Sequence, residues 1–442
     1  MNYSGRDIKR LGESINVKQG KIDNDELELL QQYRKSFTEP LTETFSTLTL
    51  LKSKVNRGGI IAFRLKRIKT IINKALRNPK MNLYRMGDIA GIRIILENEQ
   101  QLFKMSELIQ ENFEVSEKIR DYVSEPKPIG YKGIHIYIKD KKFGKRIEIQ
   151  LRTVEYHNWS TLVEITDLLC GTRLKELGYE NNRELGEFHS LISSDIQLNQ
   201  NEANHIYKVL EKYDYIMKLS KTFRKNHAKV KEQWLAVKPR SRYFLIESSS
   251  TEVPTLQGYT DYDKAEEEYF KRYKQDQEAL VVLTSIQKPS FEQISIAYAN
   301  YILSYHKFIS DIEPIIKELA LEAIEMKKFF RFRKIFKTYE KLQANAILDI
   351  FTSAEGIIVK KIDSTRLEFT SPKKISTKKR KELRRSLDNE LKGRSISHRR
   401  FMKDIFKQIE DKKSSSFVYK RFLKRHSKRV KKHLKNLTIE FN

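Results

Sequence analysis

The chain has 442 residues, of which 86 are Lys or Arg and 58 are Asp or Glu, for a formal net charge of +28. That length accommodates two or three domains, and the charge points to anionic partners: nucleic acid, nucleotides or an acidic surface. A single cysteine, Cys170, excludes an intramolecular disulfide framework and a zinc knuckle. The opening "MNYSGRDIKR" lacks a signal-peptide core. No run of about 18 apolar residues occurs, so a soluble, cytoplasmic protein with no membrane partner is expected.

The elements follow in chain order. Helical spacing through "ELELLQQYRKSF" predicts a helix over residues 24–56, and a second is expected from about Ile61 to Leu76. Strands are expected at "IAGIRIIL" (89–96), "IHIYIK" (134–139) and "RIEIQL" (146–151). Helices are expected around "QLFKMSELIQ" and from Val154 to Leu169. Strands and helices together make an α+β or α/β core. The polar "SSDIQLNQNEAN" (193–204) reads as a linker. After it come a long helix (205–227), a strand at "RYFLIE", a helix from Asp261, a strand at "ALVVLTSI" and helices to about 325. Charge then changes abruptly. Residues 1–326 hold 51 basic and 46 acidic side chains, whereas residues 327–442 hold 35 and 12, a net of +23. The expected domains are therefore 1–195, 205–326 (a small α+β domain) and 327–442, a basic and mainly helical C-terminal module.

Three constellations carry chemistry. In "FRLKRIKTIINKALR", read as a helix, Lys66, Thr70, Lys74 and Arg77 share one stripe, which can hold phosphates through charge-assisted bonds. A solvated helix face would look the same. In "MGDIAGIRII", Asp88 stands just ahead of a strand that contains Arg93. A carboxylate there is a plausible Mg²⁺ ligand, or simply a strand cap or an ion pair with Arg93. In "DYVSEPKPIGYKGIHIYI", a Pro- and Gly-punctuated loop places Tyr131 before a strand that starts near His135. Such a Tyr can stack on a base or pack in a hairpin. In "RIEIQLRT", Ile147, Ile149 and Leu151 alternate with Glu148, Gln150 and Arg152, so one face is core and the other polar.

Taken in order, these motifs resemble the synthetase domain of the RelA/SpoT family, enzymes that make the alarmones ppGpp and pppGpp. The basic helix matches the family's Arg-x-Lys…Lys pattern at Arg64, Lys66 and Lys74, with Thr70 where a Ser is usual. "DIAGIR", "RDYVSEPKPIGYKGIH" and "EIQLRT" followed by "YHNW" match its remaining motifs, over roughly residues 25–175. The resemblance implies a mixed-sheet, nucleotidyltransferase-like core flanked by helices. It also implies transfer of the β,γ-pyrophosphate of ATP to a ribose 3′-hydroxyl of GDP or GTP. Asp88 and Glu148 would hold Mg²⁺, and Glu148 could polarise the hydroxyl. Arg64 and Arg93 would sandwich adenine, while Lys66, Lys74 and Arg77 would neutralise phosphates. Tyr131 would stack on the acceptor base; Lys127, His135, Gln150 and Arg152 would line the acceptor side.

Departures from the family are specific. No His-Asp dipeptide of the alarmone hydrolase occurs, and fewer than 60 residues precede the basic helix, so a synthetase without its own hydrolase is expected. Arg120 and Lys132 replace a Lys and an Arg with charge kept. Some small relatives are toxins paired with antitoxins, and some modify the 3′ end of tRNA, which is the alternative activity. A non-enzyme alternative is a nucleotide sensor with an RNA-binding tail; Asp88 and Glu148 argue against it. The basic tail, in which two helices are expected, suits RNA or ribosome binding, a fused regulator, or a solvated extension.

Overall fold

The computed structural model describes residues 3–193, 198–238, 240–248, 254–277, 280–287, 289–298, 306–353, 358–362, 366–370, 377–411, 416–435 and 438–441. They fall into two units, Met1–Glu164 with Ala236–Tyr301, and Ile165–Leu235 with Ile302–Asn442.

In the first unit, capping boxes start two helices: Ser4 with Asp7 for α1 (Gly5–Val17) and Asp23 with Glu26 for α2 (Asn24–Lys35). Each box satisfies backbone donors that a helix start leaves open. A separate helix, α3 (Thr38–Val55), follows, so the single helix expected over 24–56 is two. The helix expected over Ile61–Leu76 also divides. Ile60–Leu65 is strand β1, Arg67 is extended, and only Ile68–Arg77 is helix, α4. The β-branched and aromatic side chains of "IIAFRL" suit a pleated surface, and a sheet edge is there to receive them. Arg64 and Lys66 therefore do not share a helix face with Lys74 and Arg77.

The strands β2 (Ala90–Leu96), β3 (Glu114–Val115), β4 (Arg120–Asp121), β5 (Ile134–Lys139) and β6 (Arg146–Thr153) follow, with α5 (Glu99–Asn112) after β2 and α6 (Val154–Cys170) after β6. They join β7 (Tyr243–Ser248), β8 (Thr255–Tyr259) and β9 (Leu280–Ile286) in one sheet, ordered β3-β5-β6-β2-β1-β9-β7-β8, with β4 on β5. Within this sheet β2 and β6 pair in parallel and the other described pairings are antiparallel, so the sheet is mixed and the fold α+β. Residues 205–326 are thus not a self-contained accessory domain. β9 pairs with β1 (Ala62↔Ile286, Arg64↔Thr284), so the later strands complete the sheet that the earlier ones begin. The division differs from the expected 1–195, 205–326 and 327–442 because hydrogen bonding between strands outweighs proximity in sequence.

Register sorts the side chains. Ile61, Phe63, Ile92, Ile94, Ile134, Ile136, Ile147 and Ile149 share one face and are all at most 3% exposed. Helices α3 and α5 cover this face, with Phe45 edge-on to Phe63 at 5.0 Å. The opposite face carries Arg64, Gly91, Arg93, Glu148, Gln150, Arg152, His135 and Tyr137.

The second unit is mainly helical. The long helix expected over 205–227 is two, Gln200–Lys212 and Tyr215–Ala236, and the first starts inside the expected linker, part of which lies outside the described residues. Helices His306–Glu325 and Phe329–Ser353 pack on each other, and Thr377–Asp411 packs on both. Helix Ser416–Lys435 and a three-stranded sheet of Ile358–Ile362, Arg366–Thr370 and Thr438–Phe441 complete it. An aromatic core holds the tail: Tyr419 lies 5.2 Å from both Phe329 and Phe332, and Phe401 lies 4.4 Å from Tyr339. The expected break at 326/327 falls between two packed helices, so the step in charge is not a step in fold.

Candidate active site

The polar face of β1, β2, β6 and β5 forms the site, and the register aligns it. Gly91 stands opposite both Arg64 and Glu148, and Arg93 stands opposite Gln150, which faces His135 in turn. Gly91 opens the middle of the row: a Cβ there would meet only the Glu148 carbonyl, at 3.9 Å.

Glu148 is buried, 8% exposed, so the polar face is not a wet rim. Its Oε1 lies 2.9 Å from His135 Nδ1 and accepts from the Tyr137 hydroxyl at 2.9 Å, while Oε2 accepts from Gln150 Nε2 at 2.9 Å. Burial alone would raise this carboxyl. The His135 contact and the Tyr137 and Gln150 donors outweigh it and hold Glu148 well below the usual carboxylate range.

Asp88 sits between two ammonium groups. Its Oδ2 accepts from Lys66 Nζ at 2.7 Å and Lys74 Nζ at 2.6 Å, which replaces the alternative pairing with Arg93. Burial again opposes ionisation, and the two lysines overcome it, so the Asp88 carboxyl is held low. For Lys66, burial wins: its ammonium is depressed despite Asp88, with Lys74 repelling it. One carboxylate shared by two lysines is favourable for the acid and does not fully compensate the burial of Lys66. Asp88 Oδ1 is buried with no hydrogen-bond partner.

The arginines make a buried positive field. Arg64 and Arg93 are diagonal neighbours on one face. Arg93 donates from Nη1 to the Ala297 carbonyl at 2.9 Å, and its Nε is an orphaned buried donor. Burial, with Arg152 and Arg64 nearby, pushes its guanidinium down to about 10. Arg152 is 3% exposed; it donates to the Tyr131 hydroxyl at 3.1 Å and to Gln150 Oε1 at 3.3 Å. Arg77 is exposed at the end of α4, one turn from Lys74.

Tyr131 belongs to the network through its hydroxyl as well as its ring. The hydroxyl lies 2.5 Å from His135 Nε2, so Tyr131, His135 and Glu148 form a continuous chain of hydrogen bonds. The ring meets Tyr122 edge-on at 5.6 Å and Trp159 at 6.3 Å. Lys127 Nζ stands 4.7 Å over Tyr122 and 5.3 Å over Tyr131. Gly133 has φ +152°, and a Cβ there would press on the Leu151 carbonyl at 3.1 Å, so a glycine is needed where the loop joins β5.

All twelve expected site residues lie in the first unit. The contacts above join Asp88, Lys66 and Lys74 into one cluster, and Glu148, His135, Tyr131, Gln150, Arg152 and Lys127 into another. Lys66 is electrostatically within reach of both Asp88 and Glu148. Sequence reading missed Tyr137, Tyr122 and Trp159. Tyr137 was in view, two residues from His135 on the same strand face, and that period-two spacing was the available signal.

Residues 63–165 match a family model described as a region found in RelA / SpoT proteins. GTP pyrophosphokinase YjbM of Bacillus subtilis is 29% identical over 145 residues, 30% of this chain and 68% of that protein. Probable GTP diphosphokinase RSH2, chloroplastic, of Arabidopsis thaliana is 29% identical over 139 residues, which are 30% of this chain and 19% of the plant protein. The chain therefore spans about a fifth of that relative's length. Among solved structures, small alarmone synthetase 1 from Bacillus subtilis bound to its product pppGpp covers 44% of this chain and 100% of its own, at 21% identity and a TM-score of 0.30.

Proposed function

Taking residues 63–165 as a RelA/SpoT region, we propose that the first unit is an ATP-dependent pyrophosphokinase whose acceptor is the 3′-hydroxyl of GDP or GTP. The observation that carries this reading is the buried Glu148, tied to His135, Tyr137 and Gln150 on a face that also presents Arg64 and Arg93.

The reaction forms a bond between the acceptor O3′ and the β-phosphorus of ATP and breaks the bond from that phosphorus to the oxygen bridging to the α-phosphate, releasing AMP. Glu148 accepts a hydrogen bond from the 3′-hydroxyl and so orients and polarises it. Because a carboxylate held this low is a weak base, the proton passes on to water or a phosphate oxygen as the new bond forms. His135 and Tyr131 fix the carboxylate and the acceptor side. Arg64 and Arg93 clamp the adenine faces, and Lys66, Lys74 and Arg77 neutralise phosphate oxygens. Such a transfer asks the protein mainly for positioning and charge.

The residues fit a Mg²⁺ ion. Asp88 Oδ1 is a buried carboxylate oxygen with no partner, and Mg²⁺ is usually held by one or two carboxylates with phosphate oxygens and water. Asp88 and Glu148 would hold it. When bound it would neutralise charge on the transferred phosphates. A cytoplasmic location, where ATP and guanine nucleotides are at hand, agrees with the single cysteine and with the lack of a membrane-length apolar helix among the described residues.

The test is incubation with ATP labelled in its β- or γ-phosphate and, separately, GDP, GTP, ATP and tRNA, with and without Mg²⁺. Label in a guanosine product made only with Mg²⁺ is expected. Label in the tRNA 3′ end alone would replace the acceptor, and label in no acceptor would overturn the reading.

A further inference from the structure

The charge that the active site does not use lies on the outside of the second unit, and its placement there is ordered. On helix Thr377–Asp411 the buried positions are Leu387, Phe401, Ile405 and Ile409, while Arg394 and Ser397 bind Glu313 at 2.7 and 2.9 Å. On helix Ser416–Lys435 the ring of Phe422 lies 5.7 Å from Phe336, and His426 pairs with Glu340. Most of the apolar side of each helix is thus occupied inside the fold, with Ile396 and Phe406 on the first and Phe417 and Val418 at the head of the second left exposed.

What remains outside is cationic. Helix Ser416–Lys435 contains nine Lys and Arg and no acid. Lys420, Arg421, Lys424, Arg425 and Lys428 are exposed, and Lys420 Nζ lies 4.0 Å from Glu410 Oε1. At the head of the helix Phe417 is 71% exposed. Acids interrupt the outward side of Thr377–Asp411, among them Asp388, Asp404 and Glu410, so the uninterrupted face belongs to Ser416–Lys435.

We propose that the outer face of Ser416–Lys435 binds RNA through its phosphates, with Phe417 offering a ring to an unpaired base. Lys420, Lys424 and Lys428 recur one turn apart, roughly every 6 Å along the axis, a ladder that a single nucleotide cannot span and a nucleic-acid strand can. A membrane surface is disfavoured because an interfacial helix inserts its apolar side, and Tyr419, Phe422 and Leu423 are already buried or partly buried in the unit. Cations interleaved with an exposed aromatic ring are the pattern of single-strand binders.

The experiment uses the full chain and filter binding to bulk tRNA and to a single-stranded RNA 20-mer across a salt series. The variant Lys420→Gln/Arg421→Gln/Lys424→Gln/Lys428→Gln should weaken RNA binding at least 30-fold at 0.1 M salt and lower the log–log salt slope by about 3. Pyrophosphate transfer to GDP should be unchanged, which separates this inference from the catalytic one. Should the fourfold variant melt early, Lys424→Gln/Lys428→Gln is expected to weaken binding about tenfold with its melting unchanged. Phe417→Ala should weaken the 20-mer but not a duplex of equal length; equal loss on both would remove the base contact. RNA affinity unchanged in the variants would overturn the proposal. So would wild-type protein holding anionic phosphatidylglycerol vesicles or poly-glutamate as tightly as RNA.

Discussion

The two units place their cations on opposite sides of the same problem. In the first, Lys66, Arg93 and Arg152 are drawn into the protein beside Asp88, Glu148 and one another. In the second, aromatic rings fill the interior, and Lys420, Arg421, Lys424, Arg425 and Lys428 of Ser416–Lys435 face solvent. Buried charge feels a low dielectric and acts strongly on one small anion at a fixed point. Exposed charge is hydrated, screened and additive over a long polyanion. The composition of the chain therefore contains two kinds of positive charge, and only position in the fold distinguishes them.

The most severe way to probe the buried kind is to neutralise its acids. Glu148→Gln and Asp88→Asn should each lower pyrophosphate transfer on the order of 10²–10³-fold or more, read from product nucleotides by chromatography, with the melting temperature retained. Glu148 is buried and not on a rim, so the melting control matters: a variant that stays folded and keeps full activity would remove the assignment.

Salt separates the two kinds of charge next. Between 0.05 and 0.2 M salt, affinity for RNA should fall about 100-fold if some five phosphates are contacted, whereas ATP affinity of the same protein should change only a few-fold. Parallel losses for both ligands would mean that the distinction between buried and exposed cations has no functional content.

Tyr131 sharpens the picture inside the first unit. A ring that only stacks would tolerate Tyr131→Phe, yet the hydroxyl here meets His135 and Arg152. Tyr131→Phe should therefore cost about 0.5–1.5 kcal/mol, a roughly two- to tenfold drop in kcat. Tyr131→Ala should add a rise in acceptor KM from the lost ring. Steady-state kinetics of the pair decides it: a Phe variant at wild-type kcat would leave the hydroxyl without a role.

The smallest expected effect concerns acid. Asp88 and Glu148 are both held below ordinary carboxylate values, so the stability they contribute is present above about pH 4 and is lost as pH falls through their folded values. Thermal melts should be nearly flat from pH 7 to 5 and decline only in stronger acid. Glu148→Gln should make that decline shallower. A midpoint already falling between pH 7 and 5 would contradict the placement of these two groups.

Much of the site could be read before any fold was known, because it lies on strands whose alternation is strict. "IHIYIK" and "RIEIQLRT" announced their faces, and with them His135, Glu148, Gln150 and Arg152. "IIAFRLKRIKTIINKALR" did not, since strand passes to helix there with neither Gly nor Pro between, and the apolar spacing of both halves fits one long helix. Arg64 and Lys66 were thus placed on the wrong element. The partnership of β1 with β9 leaves no local trace in either segment; it exists only once the sheet does. In the tail, high charge concealed a core whose signal was the recurrence of Phe329, Phe332, Phe336 and Tyr339 at helical intervals.

That β1–β9 pairing has a consequence for how the protein is made. Phe63 and Thr284, joined by a hydrogen bond, are 221 positions apart. At about 5–20 residues per second on the ribosome, β1 emerges roughly 10–40 s before the strand that covers its second edge. Through that interval the nascent chain offers "IIAFRL" as an open, largely apolar edge, the kind of surface on which strands of other chains add. Translation speed across residues 66–280, and whatever chaperone shields that edge, therefore bear on the yield of active protein, although no residue in that argument touches a nucleotide.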